Sequence, residues 1–204
     1  MFSAGILKKK AIEVTLAEPI QITRKIAVIF EKLKIPYYIV GSLASSLYGI
    51  PRATADADMI ADIRQNHVLP LVQALQKDFY LDEDRIKKAV ILRSSFNIIH
   101  LQTMFKIDVF LLKDDDLSYE EMARREKFQV TEERGQDLYL ASPEDIILNK
   151  LHWYESGGGI AERQWNDVMG MVRVLDKRLD TKYLKTTAIK RGVLDLLEKA
   201  LKEN

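Results

Sequence analysis

The chain has no cysteine, which excludes disulfides and thiolate metal sites and fits a reducing compartment. Histidine is scarce. His67, His100 and His152 stand far apart, show no ligand spacing and read as structural residues. Neither sign of charge dominates: 31 Lys+Arg against 30 Asp+Glu give a formal net charge of +1, whereas a dedicated nucleic-acid binder is usually strongly basic. A long apolar run is also missing. The basic trio Lys8, Lys9 and Lys10 near the start has no signal-like or membrane-spanning stretch beside it. Internal repeats and low-complexity tracts are absent. Together these absences point to a soluble, cytoplasmic protein with no membrane partner.

What is present is ordinary for a globular protein: 47% hydrophobic and 30% charged residues in 204, enough to bury a real core. Ile22, Ile26, Ile29 and Leu33 recur at helical spacing and predict a helix from about Ile20 to Leu33. Tyr37 to Val40 reads as a short buried strand running into Gly41, and Ser42 to Tyr48 as a short helix stopped at Gly49. Strands are expected over Ala57 to Ile63, Phe96 to Leu101, Phe105 to Leu112 and Leu138 to Leu140, the middle two paired. A helix is expected over Val68 to Leu75, with Pro70 in its first turn. Arg85 to Leu92 is ambiguous between a helical turn and coil, and Asp114 to Asp116 reads as a solvated run capping a helix over Tyr119 to Glu126. Ser142-Pro143-Glu144-Asp145 is a strong helix start: a cap, proline in the first turn, then acids. Helices are expected to about Tyr154, then over Ala161 to Leu175 and Ala188 to Lys202, with Gly157-Gly158-Gly159 as a breaker. The fold class is therefore α+β: a short mixed sheet flanked by helices over 18–141, followed by a helical bundle over 142–204.

The stretch that carries chemistry runs from Gly41-Ser42 to Asp56-Ala57-Asp58. Side chains alternate along a strand, so Asp56 and Asp58 point to one side, about 6–7 Å apart. Like charges that close raise a carboxyl pKa unless a cation intervenes, and magnesium takes carboxylates, phosphate oxygens and water. Asp108 lies within a largely apolar strand, on the face of Phe110 and Leu112. There it reaches solvent or binds something, because burial unpaired is costly. At Gly41-Ser42 a buried strand enters a glycine turn and a helix begins at once; glycine admits a phosphate and the free amides of a helix start favour an anion. Each signal alone has an ordinary explanation, as a solvated strand end, a cap or an edge residue. Their order reduces coincidence.

In this pattern the chain resembles the nucleotidyltransferase superfamily related to DNA polymerase beta, whose Gly-Gly or Gly-Ser turn, Asp-x-Asp strand and later third acid match Gly41, Ser42, Asp56, Asp58 and Asp108 over about Ile35 to Leu112. Within it, Gly41 to Asp58 and Ser142 to Leu151, followed by Arg163 to Asp167, resemble the prokaryotic branch that includes AbiEii-type toxins. The resemblance implies transfer of a nucleoside monophosphate from a nucleoside triphosphate to an acceptor hydroxyl. Asp56, Asp58 and Asp108 would act as catalytic ligands of two magnesium or manganese ions, and Gly41 and Ser42 would hold the triphosphate. Asp108 would serve the ion nearest the acceptor hydroxyl.

Arg52 and Thr54 flank the acids, and arginine's planar fork suits phosphate, although an exposed loop residue reads equally well. Lys150 falls within the apolar stripe of Ile146, Ile147, Leu151 and Tyr154. It either snorkels to water or enters a cleft to meet phosphate. Asp167 pairs with Lys150 or Arg163, or is surface. Trp153 and Tyr154 read as core or interface. The acceptor is an RNA 3′ end, a protein hydroxyl or a small molecule, and an antitoxin would be a partner if the chain is toxin-like. Two other readings stand beside this one. One is a non-catalytic nucleotide-binding or toxin–antitoxin module; the other is a structural protein whose three acids would lie apart in space.

Overall fold

The computed structural model describes residues 2–130 and 137–203, with side chains from Leu16 onward; the side chains of Lys8, Lys9 and Lys10 lie outside the described residues. Helix α1 (Phe2–Lys32) leads into β1 (Tyr37–Val40), α2 (Gly41–Tyr48) and β2 (Asp56–Ala61). Then come α3 (Gln65–Leu75), β3 (Phe79–Tyr80), α4 (Glu83–Leu92) and the hairpin of β4 (Ser95–His100) and β5 (Lys106–Leu111). Next are α5 (Asp116–Arg124), β6 (Glu126–Gln129) and β7 (Asp137–Leu140), and α6 (Pro143–Ser156), α7 (Glu162–Leu175), α8 (Thr181–Arg191) and α9 (Leu194–Lys202) close the described chain. The strands form one mixed sheet in the order β3-β4-β5-β2-β1-β7-β6. The expected fold class, α+β with a mixed sheet flanked by helices, is the one observed.

Alternation divides the central strands into two faces. Ala57, Met59 and Ala61 of β2 and Ile107, Val109 and Leu111 of β5 are buried in the core. The intervening Asp56, Asp58 and Ile60, with Lys106, Asp108 and Phe110, turn to the other face, where α6 and α8 leave a cleft. The expectation that Asp108 shares a face with Phe110 is borne out.

Several elements differ from the sequence expectation for physical reasons. Helix α1 continues back through Pro19, because Leu16 and Ile20 on either side are both drawn into the core; proline forfeits one backbone bond without ending the helix here. Helix α3 starts at Gln65, a turn earlier than expected, so Pro70 lies inside it; the Arg64 backbone N–H donates to His67 Nδ1 at 3.1 Å and secures that start. The helix expected over Ala188 to Lys202 is two helices. Gly192 adopts φ +70 and the Val193 N–H closes back on the Ala188 carbonyl, a glycine stop of the kind that a single Gly in a helical pattern signals. Strands β3 and β6 were not anticipated: the first has two residues and the second is a polar edge strand. Arg85 to Leu92 is helical, started by the Asp82 carboxylate, which accepts from the Asp84 and Arg85 amides. At α6 the expected start holds: Ser142 accepts from the Asp145 N–H.

Candidate active site

The chain order β1–α2–β2 folds the Gly41 turn against the acids. Val40 pairs with Asp58 in the antiparallel β1–β2 ladder, and Gly41 follows at φ +66. A Cβ built on Gly41 would stand 2.0 Å from Asp58 Oδ2. Only glycine fits both the backbone angle and the neighbouring carboxylate. Helix α2 starts at this turn.

The parallel β2–β5 ladder places Asp56 beside Lys106 and Asp58 beside Asp108, and β4 adds Asn97 opposite Asp108. The three expected acids are therefore gathered on adjacent strands, which removes the reading in which they lie apart. Burial pushes the Asp58 carboxyl up to about 6, helped by repulsion from Asp56 and Asp108 and opposed by Lys106 and Lys150. Thr54 Oγ1 donates to the Asp56 carbonyl at 2.9 Å and holds the strand entry. Asp108 Oδ2 lies 2.7 Å from Lys106 Nζ, and its Oδ1 accepts from the Asn97 amide. Neither Lys106 nor Asn97 was anticipated, although Lys106, two residues before Asp108 in one strand, had to share its face.

Arg52 and Lys150 meet at Asp167 on α7. Arg52 Nε donates to Asp167 Oδ1 and Nη2 to Oδ2, both at 2.8 Å, while Nη2 also reaches Ser42 Oγ at 2.7 Å. Lys150 Nζ donates to Asp167 Oδ2 at 2.7 Å and to Gln164 Oε1 at 3.0 Å. Lys150 is buried, at 4% exposure. It thus points into the cleft and does not snorkel. Burial pulls its pKa down against the attraction of Asp167. For Asp167, burial opposes ionisation, but the Arg52 hydrogen bonds and the Lys150 charge outweigh it and hold the carboxyl below its ordinary range. Two cations sharing one carboxylate leave positive charge facing Ser42. The approach of α7 that permits this is close: a Cβ on Gly49 would stand 3.1 Å from the Met171 backbone nitrogen, and one on Gly170 would stand 3.3 Å from Ile50 Cγ1.

The cleft has a volume of about 770 Å³ and runs from Gly41, Ser42 and Asp58 to Phe110, Trp153 and Lys190. Trp153, expected as core or interface, is 65% exposed on its rim, whereas Tyr154 packs on Trp165 at 5.5 Å. His152 also lines the cleft, while His100 is buried against Thr103. The buried floor holds a network not foreseen from sequence, in which Glu121 accepts from the Tyr38 hydroxyl at 3.0 Å and from Arg191.

The residues suit divalent cations in charge and chemistry: three carboxylates stand on one face of adjacent strands, and an ammonium already stands in as a counter-charge at Asp108. Among the described residues, no group of three or more acidic or histidine side chains is arranged ready to hold an ion. This accords with Asp108 being turned onto Lys106 and Asn97.

Solved nucleotidyltransferase structures superpose on this fold. An antigenic nucleotidyltransferase-like protein from Paracoccidioides brasiliensis superposes with TM-score 0.58 at 18% identity, covering 92% of this chain and 94% of its own. The antibiotic-resistance factor ANT(2")-Ia, seen in complex with adenylyl-2"-tobramycin, gives 0.57 at 13% identity over 86% and 99%. The lincosamide antibiotic adenylyltransferase LnuA, with lincomycin bound, gives 0.50 at 16% over 78% and 98%. No protein-family profile and no curated protein matches the chain. At these identities the likeness establishes a nucleotidyltransferase fold. No helix among the described residues is long and apolar enough to cross a membrane.

Gly41→Ala tests the turn. It should lower stability by about 1–2 kcal/mol from the left-handed backbone alone, with a further loss from displacing Asp58, read as a lowered urea midpoint. An unchanged midpoint would show that the turn tolerates a side chain.

Proposed function

We propose that the chain is a metal-dependent nucleotidyltransferase that moves a nucleoside monophosphate from a nucleoside triphosphate to an acceptor hydroxyl. The observation that carries this reading is the lateral order across the sheet: the Gly41 turn, then Asp58, then its register partner Asp108. Attacking and leaving oxygens stand in line at a transferred phosphoryl group. The leaving pyrophosphate then belongs on the Gly41 side, with Ser42, Arg52 and Lys150, and the acceptor on the Asp108 side.

Here the α2 amides and the Ser42 hydroxyl hold the triphosphate tail, and Arg52 and Lys150 balance its charge. Divalent ions, magnesium or manganese, held by Asp56, Asp58 and Asp108, would supply the charge that activates the acceptor oxygen and steadies the departing pyrophosphate. The acceptor oxygen bonds to the α-phosphorus, the bond from that phosphorus to the bridging oxygen breaks, and Asp108 takes the acceptor's proton. The cleft volume lies within the range of small-ligand sites. An RNA end, a protein side chain and a small molecule all offer the hydroxyl this chemistry needs.

Incubation with each labelled triphosphate, magnesium and cell extract should label an acceptor, and Asp56→Ala with Asp58→Ala should abolish the label. Failure of all four nucleotides, or label unaffected by the double substitution, would refute the reading; nucleotide binding without pyrophosphate release would identify a non-catalytic module instead. The toxin-like form of the proposal is supported by the two stretches of sequence resemblance. It adds that induced expression arrests bacterial growth and that the double substitution relieves the arrest; growth unaffected by expression sets that role and its antitoxin partner aside.

The Asp58 carboxyl gives a pH signature. Its folded value, about 6, is above the model-compound value of 3.8. The folded state therefore binds the extra proton, and its stability falls as pH rises between those values and stays lower above them. A divalent ion relieves that cost where Asp58 is ionised, so magnesium should raise the melting temperature more at pH 7 than at pH 5. An equal rise at both would separate the ion from Asp58.

A further inference from the structure

Lys106 has no part in the reading above, yet it stands inside the acidic face. The β2–β5 register makes a block of four, with Asp56 and Asp58 on one strand and Lys106 and Asp108 beside them on the next. Lys106 Nζ contacts Asp108 Oδ2 at 2.7 Å, and the Asn97 amide takes Oδ1. Both oxygens of the third carboxylate are thus engaged by the protein's own donors. Three carboxylates and one ammonium leave two negative charges, which a single divalent ion neutralises. A second ion at Asp108 would have to sit against a positive charge within hydrogen-bond distance of its ligand oxygen.

The ammonium is also free to leave. The Lys106 side chain is 44% exposed, against 16% for Asp108, and a flexible four-carbon stem can swing to another anion. The triphosphate of a nucleotide is such an anion and arrives on the neighbouring strands.

We propose that Lys106 is the resident counter-cation of Asp108 and makes divalent-ion loading sequential. The nucleotide-free protein takes one ion, at Asp56 and Asp58. The second enters at Asp108 only when a bound triphosphate draws Lys106 away. Lys106 is on this view a positioning residue acting through Asp108, and Asn97 holds the carboxylate in place during the exchange. The inference rests on the metal-dependent reading above.

Manganese titration of the nucleotide-free protein, followed by electron paramagnetic resonance, tests it in the wild type, Lys106→Met and Lys106→Arg. The wild type and Lys106→Arg should bind one ion, with a second appearing on addition of a non-hydrolysable triphosphate. Lys106→Met should bind the second ion without nucleotide, about tenfold or more tightly than the wild type, as expected on removing a positive charge close to a dication. Should Lys106→Met not fold, Lys106→Gln carries the same expectation. Unchanged manganese stoichiometry and affinity in the neutral variant, with wild-type transfer still dependent on Asp56 and Asp58, overturn the role of Lys106 alone. Absence of manganese binding in every protein, with and without nucleotide, overturns the metal-dependent reading as well.

Discussion

The site depends on one pairing, the in-register parallel ladder between β2 and β5. It sets Asp58 against Asp108 and Asp56 against Lys106 on a face whose other side is packed with Ala57, Met59, Ile107 and Val109. A slip of one residue would turn the acids into the core and the apolar side chains into the cleft, so the packing of the buried face also fixes where the charges stand. The electrostatic stress that results is visible at Asp58, whose carboxyl is raised by burial and by its acidic neighbours. Lys106 and Lys150 answer that stress from within the protein, and a divalent ion would answer it from outside.

A second interaction ties the helical part of the chain to the first. Asp167 gathers Arg52 from the loop before β2 and Lys150 from α6, and Arg52 in turn touches Ser42. Breaking a buried pair of this kind by removing one partner costs about 3–5 kcal/mol, because the remaining charge is left desolvated; here the part-exposed Arg52 keeps the cost at the lower end. The same contacts that join α7 to the sheet also aim the cations at the turn.

Much of this was legible from the sequence because it follows from short-range periodicity. Alternation placed Asp56 with Asp58 and Asp108 with Phe110, and the Ser142 cap with Pro143 marked the start of α6. What was not legible depends on long-range pairing. Nothing local says that Arg52 lies across from Asp167, 115 positions away, or that Glu121 meets Tyr38 and Arg191 beneath the cleft. Lys106 is an intermediate case. Its face could be read from Asp108, but its place beside Asp56 emerged only with the strand register. The division of the last expected helix rests on a local signal, Gly192 in the left-handed region, whereas β6 is a strand made by its neighbour β7 rather than by its own polar sequence.

The closeness of α7 to the loop after α2 carries one more consequence. Gly49 and Gly170 face backbone and side chain across that contact, where a Cβ at either would be a tight fit. Bulk added at either position would act as a wedge, tilting the helix that bears Asp167 outward and letting Arg52 and Lys150 fall out of aim. The aim of Arg52 and Lys150 is thus set partly by two uncharged positions, and a survey of substitutions confined to charged residues would overlook them.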